Sequence, residues 1–142
     1  MQTPIRAIAS QSEMRQRLSW VDRLVDRESD GDGLDLGPQA AALFDEMRLC
    51  FASGAWVAVL VLAQAALDAE MQQDDLNGLV QNEIRFGADY VWLRNRRNHL
   101  LHADDPLPAV TLADFGPGNA ALEREARRAV ELVVGGLAEL VR

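Results

Sequence analysis

The stretch that decides the fold covers residues 55–72 and reads AWVAVLVLAQAALDAEMQ, which is apolar almost all round as far as Leu67. A helix that is apolar on every side belongs in the centre of a bundle. Its alanines are small enough to let neighbouring backbones approach closely. Gln64, Asp68 and Glu70 are the polar exceptions in this stretch, and the sequence alone assigns them no chemistry. We therefore predict a central helix surrounded by other helices.

Local signals predict the helix boundaries on the N-terminal side of this stretch. Ser10 and Glu13 form a capping box, in which each side chain satisfies a free backbone donor at the start of a helix. The apolar residues that follow recur at helical spacing to about Glu28. Gly37-Pro38 starts a second helix, because proline is favoured at the first helical position, and Ser53-Gly54 ends it at a tight corner.

Three more helices are predicted after the central one. A short helix starts at about residue 75 or 76 and ends at 85, Asp89 caps the next helix, and that helix must end before Pro106. Asn119 is a candidate cap for the last helix, in which Gly135-Gly136 either weakens the helix or permits close packing against a neighbour. No segment alternates with period two, so we predict an all-α antiparallel bundle of about five to six helices and no sheet. The apolar stripe of the last helix consists of Leu122, Ala126, Ala129, Val133, Leu137 and Leu140.

Length and composition indicate a single folded domain over residues 1–142, because a chain of this length can bury one core but not two good ones. The net charge of −8 argues against a protein that coats nucleic acid, although a small local site stays open. Cys50 is the single cysteine, so neither a disulfide framework nor a zinc site is expected. The loop at residues 28–39 begins like a calcium-binding EF-hand but has Gln39 where the ion needs a glutamate. We predict no metal and no cofactor.

No membrane span is expected from the sequence. The longest unbroken apolar run, residues 55–63, is about half of what a bilayer span requires. Residues 1–10 lack the apolar core of a secretory signal. We therefore expect a soluble, cytoplasmic protein.

The segment most suited to chemistry is residues 91–106, VWLRNRRNHLLHADDP, which places three arginines in four positions and then both histidines of the chain. At about 100° per residue, Arg94, Asn98 and His102 fall along one slowly drifting stripe of a helix, and Arg97 lies beside it. Arg96 points away. Arg97 and His102 are about 140° apart around the helix. They converge only if His102 lies at a frayed helix end, or if a second copy of the helix meets the first across a two-fold axis.

The same segment resembles the signature of a known protein family. The hexapeptide RNHLLH at residues 97–102 resembles the Arg-x4-6-His signature of the HEPN superfamily (higher eukaryotes and prokaryotes nucleotide-binding domains), in the common form with a polar residue directly after the arginine. Leu93-Arg94 resembles the frequent Leu-Arg lead-in of that family. Residues 48–68 are similar to the helix, small-residue corner and alanine-rich central helix that precede the signature helix. Together with the helix order, the resemblance covers about residues 38–140.

The resemblance implies an all-helical bundle that forms a homodimer through its signature helices and, in many members, cleaves RNA without a metal ion. On this hypothesis His102 is the general base or acid, Arg97 binds the phosphate, Asn98 orients one of them or the substrate, and Arg94 extends the phosphate site. Imidazole can act as acid or base near neutral pH, and a guanidinium offers a planar fork of donors to phosphate oxygens. Two dimer-related His102 residues would divide the acid and base roles. The expected product is a 2′,3′-cyclic phosphate.

Other interpretations of the same residues stay open. Arg94 and His99 also have the four-residue gap, but His99 lies on a different face, so Arg97 with His102 is preferred. These cations could instead only stabilise a helix C-terminus, in a noncatalytic HEPN-like binding or dimerisation module or in an unrelated bundle. Toxin-like members of the family suggest an antitoxin or regulatory protein as a partner. In some of them an adenylylating partner acts on a tyrosine two residues after the histidine, where this chain has Asp104. Asp104 and Asp105 would repel RNA or pair with the arginines.

Overall fold

The computed structural model describes residues 6–103 and 106–141, and in these ranges the chain forms six α-helices and one 3₁₀ turn without any β-strand. The predicted all-α bundle is therefore confirmed. No helix in the described ranges is both long enough and apolar enough to cross a membrane. The elements are α1 (Gln11–Glu28), α2 (Pro38–Ser53), α3 (Trp56–Glu70), α4 (Gly78–Phe86), α5 (Ala88–Leu101), the 3₁₀ turn (Leu112–Phe115) and α6 (Ala121–Leu140).

The boundaries of α1 and α2 follow the local signals in the sequence. Ser10 Oγ accepts a hydrogen bond from the Glu13 backbone N–H at 3.0 Å, and Glu13 Oε1 accepts one from the Ser10 backbone N–H at 3.0 Å. This reciprocal pair confirms the predicted start of α1. Gly54 ends α2 with a φ of 81°, in the left-handed region that glycine adopts without steric cost. That corner allows α3 to pack directly against α2.

The predicted cap of α5 is wrong. Asp89 is the second residue inside α5, and Gly87 occupies the N-cap position. The Asp89 carboxylate instead accepts a hydrogen bond from Arg128 Nη2 of α6 at 2.9 Å. A carboxylate in the first turn is still favoured, because the helix dipole presents partial positive charge there. Asp89 therefore joins α5 to α6 rather than terminating α5.

Asparagine side chains mark the starts of α4 and α6. The Asn77 carboxamide oxygen accepts hydrogen bonds from the backbone N–H groups of the second and third residues of α4, so α4 starts at Gly78, later than predicted. Asn119 Oδ1 accepts a hydrogen bond from the Ala121 backbone N–H at 3.1 Å, although Ala120 holds the N-cap position of α6. Both side chains use the same chemistry, since a short polar oxygen satisfies a backbone donor that has no partner within the helix.

Helix α3 lies at the centre of the bundle, as its apolar sequence predicted. It packs against α2, α5 and α6. The predicted apolar stripe of α6 is buried along its whole length, and this stripe closes the core on one side. The fully buried residues of α3 are Val59, Leu60, Ala63, Ala66 and Leu67.

The two adjacent glycines of α6 have different surroundings. A Cβ on Gly136 would lie 3.1 Å from Tyr90 Oη and 3.3 Å from Leu67 Cδ2. A Cβ on Gly135 would have no atom of the described residues within 4 Å, beyond its own helix backbone and chain neighbours. Of the two roles predicted for the pair, close packing therefore belongs to Gly136, and Gly135 only carries the intrinsic cost of glycine in a helix.

Candidate functional site

Helix α5 is a peripheral helix with a largely uncovered face. Of its 14 residues, Leu93 alone is buried. One stripe of α5 faces away from the bundle, and it contains neither an arginine nor a carboxylate, although 25% of the chain is charged. Its residues recur every three or four positions and all but the half-buried valine are exposed. We call it the outer stripe; it consists of Ala88, Val91, Asn95, Asn98 and His102.

Arg97 borders the outer stripe but its side chain turns toward α3. Its Nη1 donates a hydrogen bond to Asp68 Oδ2 at 3.1 Å, and its Nε donates one to Asn98 Oδ1 at 2.9 Å. The Arg97 side chain is 22% exposed and that of Asp68 is 56% exposed. Two acceptors thus hold the guanidinium of Arg97, while its Nη2 has no hydrogen-bond partner in the part of the chain that the structure describes. The arginine is fixed in position and retains donors for a further anion.

The carboxylate that holds Arg97 is itself held from inside the core. Gln64 is only 2% exposed, and its Nε2 donates a hydrogen bond to Asp68 Oδ1 at 2.8 Å. The other end of the same amide, Oε1, is buried without a hydrogen-bond partner among the described residues. A continuous polar chain therefore runs from the core to the surface. We call it the Gln64 relay; it consists of Gln64, Asp68, Arg97 and Asn98.

The energetics of the Gln64 relay do not favour stability. An ion pair as exposed as Asp68 with Arg97 contributes about 0–1 kcal/mol, because water screens it. A buried acceptor without a partner, such as Gln64 Oε1, costs about 1–3 kcal/mol of desolvation. An aliphatic side chain at position 64 would avoid that cost. Arrangements that lower stability in this way are concentrated at functional sites.

The other two arginines of α5 are directed elsewhere. Arg94 Nη2 donates a hydrogen bond to the backbone carbonyl of Arg85 at 2.7 Å, near the C-terminal end of α4, where unsatisfied carbonyls favour a cation. Arg96 forms a two-bond ion pair with Glu125 of α6, at 2.7 and 3.3 Å, and also donates to the Ala109 carbonyl at 3.1 Å. Arg96 therefore points away from the outer stripe, as predicted, and fixes the segment after α5 against α6.

His102 forms the C-terminal boundary of α5. Its φ of −110° and ψ of 126° are extended, so the chain leaves the helix at this residue. The side chain is exposed and has no hydrogen bond or ion pair with another described residue. The structure therefore joins Arg97 and Asn98 by a hydrogen bond, whereas no hydrogen bond connects them to His102 or Arg94 within the described ranges. Asp104 and Asp105, which were considered as partners of the arginines, lie outside the described residues.

Sequence reasoning missed Gln64 and Asp68 as members of the site. Both were noted as polar exceptions in an apolar helix, but no partner for them is visible in the sequence. The available signal was their spacing. Residues four positions apart lie on the same face of a helix, so a polar pair at that spacing within an apolar helix predicts a shared polar partner on a neighbouring element.

Tyr90 of α5 packs against α6. The Tyr90 hydroxyl donates a hydrogen bond to the Leu132 carbonyl at 3.4 Å, and burial raises the pKa of Tyr90 above its ordinary value. That phenol stays protonated and packs beside Gly136. Within the described ranges, no group of three or more histidine, cysteine, aspartate or glutamate side chains is arranged to hold a metal ion.

Comparison with known proteins gives no relative for this chain. No protein-family model matches the sequence, and no curated protein and no solved structure matches it significantly. The similarity to the HEPN signature therefore stays a prediction, based on the residues of α5 and α3.

Proposed function

We propose that the chain is a metal-independent endoribonuclease whose active site combines residues of two α5 helices in a homodimer. The observation that supports this proposal best is the outer stripe, an uncovered helix face that exposes Asn98 and His102 beside the anchored guanidinium of Arg97. The cores of protein interfaces are depleted of charged residues. An uncharged face on a chain with a net charge of −8 is suited to contact with a second copy of the same face.

A second copy supplies what one copy lacks. Cleavage needs both a base and an acid, and each outer stripe carries one His102. His102 lies outside the helical backbone of α5, and no hydrogen bond joins it to Arg97 or Asn98 within the described residues, so a single copy does not hold both groups at one phosphate. In a two-fold symmetric contact the same patch of each subunit meets its counterpart. Two α5 helices in that contact bring two His102 imidazoles and two Arg97 guanidiniums to one cleft.

The proposed chemistry is an internal transesterification. One His102 removes the proton of a ribose 2′-hydroxyl, and the 2′-oxygen attacks the adjacent phosphorus. The bond from phosphorus to the 5′-oxygen breaks, and the other His102 donates a proton to that leaving oxygen. Arg97 donates hydrogen bonds to the nonbridging oxygens, where negative charge accumulates in the transition state. The products are a 2′,3′-cyclic phosphate and a 5′-hydroxyl.

The proposed site binds few phosphates. Arg94, Arg96 and Arg97 each donate to an acceptor within the chain, so they do not form an open basic surface. Each phosphate contacted in a single strand lowers the slope of log affinity against log salt by about 0.7. We therefore expect a slope of about −1 to −2, whereas a slope steeper than about −4 would indicate an extended basic surface elsewhere.

The test is cleavage of mixed-sequence single-stranded RNA by the purified chain, with and without EDTA. We expect EDTA-resistant cleavage that yields 2′,3′-cyclic phosphate ends and is lost in both Arg97→Ala and His102→Ala. Arg48→Ala is a matched control, because Arg48 is also a part-buried arginine paired with one carboxylate, at 28% exposure, and it lies on α2. Cleavage that is equal in all variants would identify a contaminating nuclease and refute the proposal.

The dimer is tested in the same preparations. We expect the chain to sediment as a dimer in analytical ultracentrifugation, and Asn95→Arg to convert it to a monomer by placing two like charges at the symmetric contact. Asn82→Arg on α4 adds the same charge at another exposed position and serves as the control. A monomer that still cleaves RNA would refute the composite site, because each monomer contains one His102.

A second candidate function is a noncatalytic binding or dimerisation module. It is favoured by Leu79 and Phe86, which lie seven residues apart on one side of α4 and are 83% and 76% exposed. Exposed apolar side chains of this size mark contact surfaces when they cluster. A stable dimer that leaves RNA intact under all conditions, and that dissociates in Leu79→Asp or Phe86→Asp, would favour this function.

A further inference from the structure

Gln64, a glutamine in the core, is connected to Arg97 of the proposed site through the carboxylate of Asp68. We propose that Gln64 is a positioning residue, which acts through Asp68 to orient the guanidinium of Arg97 toward the phosphodiester. This inference rests on the proposed endoribonuclease function. It assigns a role to two α3 residues that do not belong to the signature of α5.

The geometry fixes the carboxylate of Asp68 at both oxygens. Oδ1 accepts the hydrogen bond from Gln64 Nε2 at 2.8 Å, and Oδ2 accepts the hydrogen bond from Arg97 Nη1 at 3.1 Å. Asp68 is 56% exposed, so without the amide only Arg97 would hold its carboxylate. Gln64 is 2% exposed, and the surrounding core fixes its side chain. The buried amide therefore supplies the contact that ties the orientation of the Asp68 carboxylate to the core.

The orientation of the Gln64 amide points to the same role. A carboxylate is an acceptor only, so the amide must direct its NH₂ toward Asp68. Its oxygen then lies in the core without a partner among the described residues. The neighbouring residues Leu60, Ala63 and Leu67 are fully buried and apolar, and a leucine at position 64 would continue that surface. The amide is therefore explained by its bond to Asp68 and not by packing.

At the surface end, the Gln64 relay holds two nitrogens of the Arg97 guanidinium and leaves the third, Nη2, for a substrate. Asn98 accepts from Nε and Asp68 accepts from Nη1, so the plane of the guanidinium is held by two bonds in different directions. The Nη2 group has no partner within the described ranges and is the donor left for a phosphate oxygen. An oriented donor favours the transition state because no reorganisation is needed during the reaction.

The test measures the order of Arg97 directly and does not depend on RNA cleavage. The full chain is labelled with ¹⁵N, the Nε–Hε signal of Arg97 is identified by its absence in Arg97→Lys, and its order parameter is determined by relaxation. We expect the Arg97 order parameter to fall in both Gln64→Leu and Asp68→Asn. The melting temperature of Gln64→Leu should be equal to or higher than that of the wild type, because the unpartnered oxygen is removed.

Asp22→Asn is the matched control. Asp22 is 57% exposed and accepts a hydrogen bond from Arg48 Nε at 2.8 Å, so it resembles Asp68 in exposure and in its arginine partner. This variant should lower the order of the Arg48 Nε signal, which shows that the loss of a carboxylate partner is detected. It should leave the Arg97 signal and RNA cleavage unchanged.

RNA kinetics separate a positioning role from a structural one. Misplacement of a guanidinium by a fraction of an ångström should lower kcat by about tenfold or more in Gln64→Leu while KM changes little. Asp68→Glu keeps the charge and should recover part of the activity that Asp68→Asn loses. A merely structural role would instead lower the melting temperature and the fraction of active protein, with kcat per folded molecule unchanged.

Several results would overturn the proposal. One is an Arg97 order parameter that is unchanged in Gln64→Leu, and another is a kcat per folded molecule that stays at the wild-type value. Failure of both Gln64→Leu and Gln64→Met to fold would assign the amide to the fold itself and also overturn it. If the wild type does not cleave RNA, the endoribonuclease function fails, whereas the relaxation data still decide whether Gln64 positions Arg97.

Discussion

The adjacent glycines of α6 give the sharpest test of the packing around α5. Replacing glycine by alanine within a helix stabilises it by about 0.5–1 kcal/mol, because alanine loses less backbone entropy. Gly135→Ala should show that full gain, since a Cβ there has no described atom within 4 Å beyond its own helix backbone and chain neighbours. Gly136→Ala gains the same propensity, but its Cβ lies 3.1 Å from Tyr90 Oη and 3.3 Å from both Leu67 Cδ2 and Tyr90 Cε1.

Contacts this short require the neighbouring side chains to move. Leu67 is fully buried, and the Tyr90 hydroxyl is bound to the Leu132 carbonyl, so neither moves freely. Overpacking of a core costs about 1–3 kcal/mol. The net effect of Gly136→Ala is therefore a loss of up to about 2.5 kcal/mol, and the two variants should differ by about 1–3 kcal/mol.

Urea unfolding measures both variants, with the free energy of unfolding obtained at an unchanged m-value. Gly136→Ala combined with Tyr90→Phe should recover part of the loss, because Tyr90 Oη is the nearest atom to the added methyl group. Equal stabilisation by Gly135→Ala and Gly136→Ala would refute the close packing of α5 and α3 against α6, and with it the position of the candidate site.

Three further predictions concern other parts of the fold. Arg96→Ala and Glu125→Ala should show a coupling free energy of about 0.5–3 kcal/mol in a double-mutant cycle, because both side chains are mostly buried, at 18% and 27% exposure; additive effects would contradict a stabilising ion pair between Arg96 and Glu125. The pKa of Glu13 is lowered mainly by the hydrogen bond from the Ser10 backbone N–H, so its contribution to stability is complete above the ordinary value of 4.5 and is lost as the pH falls through the lowered value. Glu13→Gln should therefore remove part of the loss of stability on acidification, and identical acid profiles would contradict the capping box. Burial raises the pKa of the Cys50 thiol, so iodoacetamide should react with it more slowly than with free cysteine at pH 8 and at the normal rate in urea.

The candidate site joins a central helix to a peripheral one. Helix α3 supplies a rigid polar anchor, and α5 supplies exposed polar groups on a face that the bundle leaves uncovered. Functional side chains are most precise when they project from packed elements with supporting hydrogen bonds. In this chain the hydrogen bond to Asp68 supports Arg97. His102, in contrast, lies at a helix end with an extended backbone. A second α5 would supply the missing constraint on His102.

The number of helices and the central position of α3 could be predicted from the sequence alone. Three confirmed features are the capping box at Ser10, the corner at Gly54 and the apolar stripe of α6. Each depends on the spacing of residues a few positions apart, so it can be recognised in the sequence. The angular separation of the three arginines of α5 followed in the same way from the helical repeat. The first turn of α5 was misassigned because Asp89 pairs with Arg128, a residue on another helix.

The partners of the site residues, in contrast, depend on the packing of the helices. Asp68 and Arg97 are 29 positions apart, and their contact depends on how α5 packs against α3. The separate roles of Gly135 and Gly136 likewise depend on which of them faces Tyr90 and Leu67. Local chain geometry fixes where a helix starts and which side chains share a face, but the polar partner of a side chain is set by the packing of distant elements. That is why Gln64 and Asp68 appeared in the sequence as exceptions and in the structure as the support of Arg97.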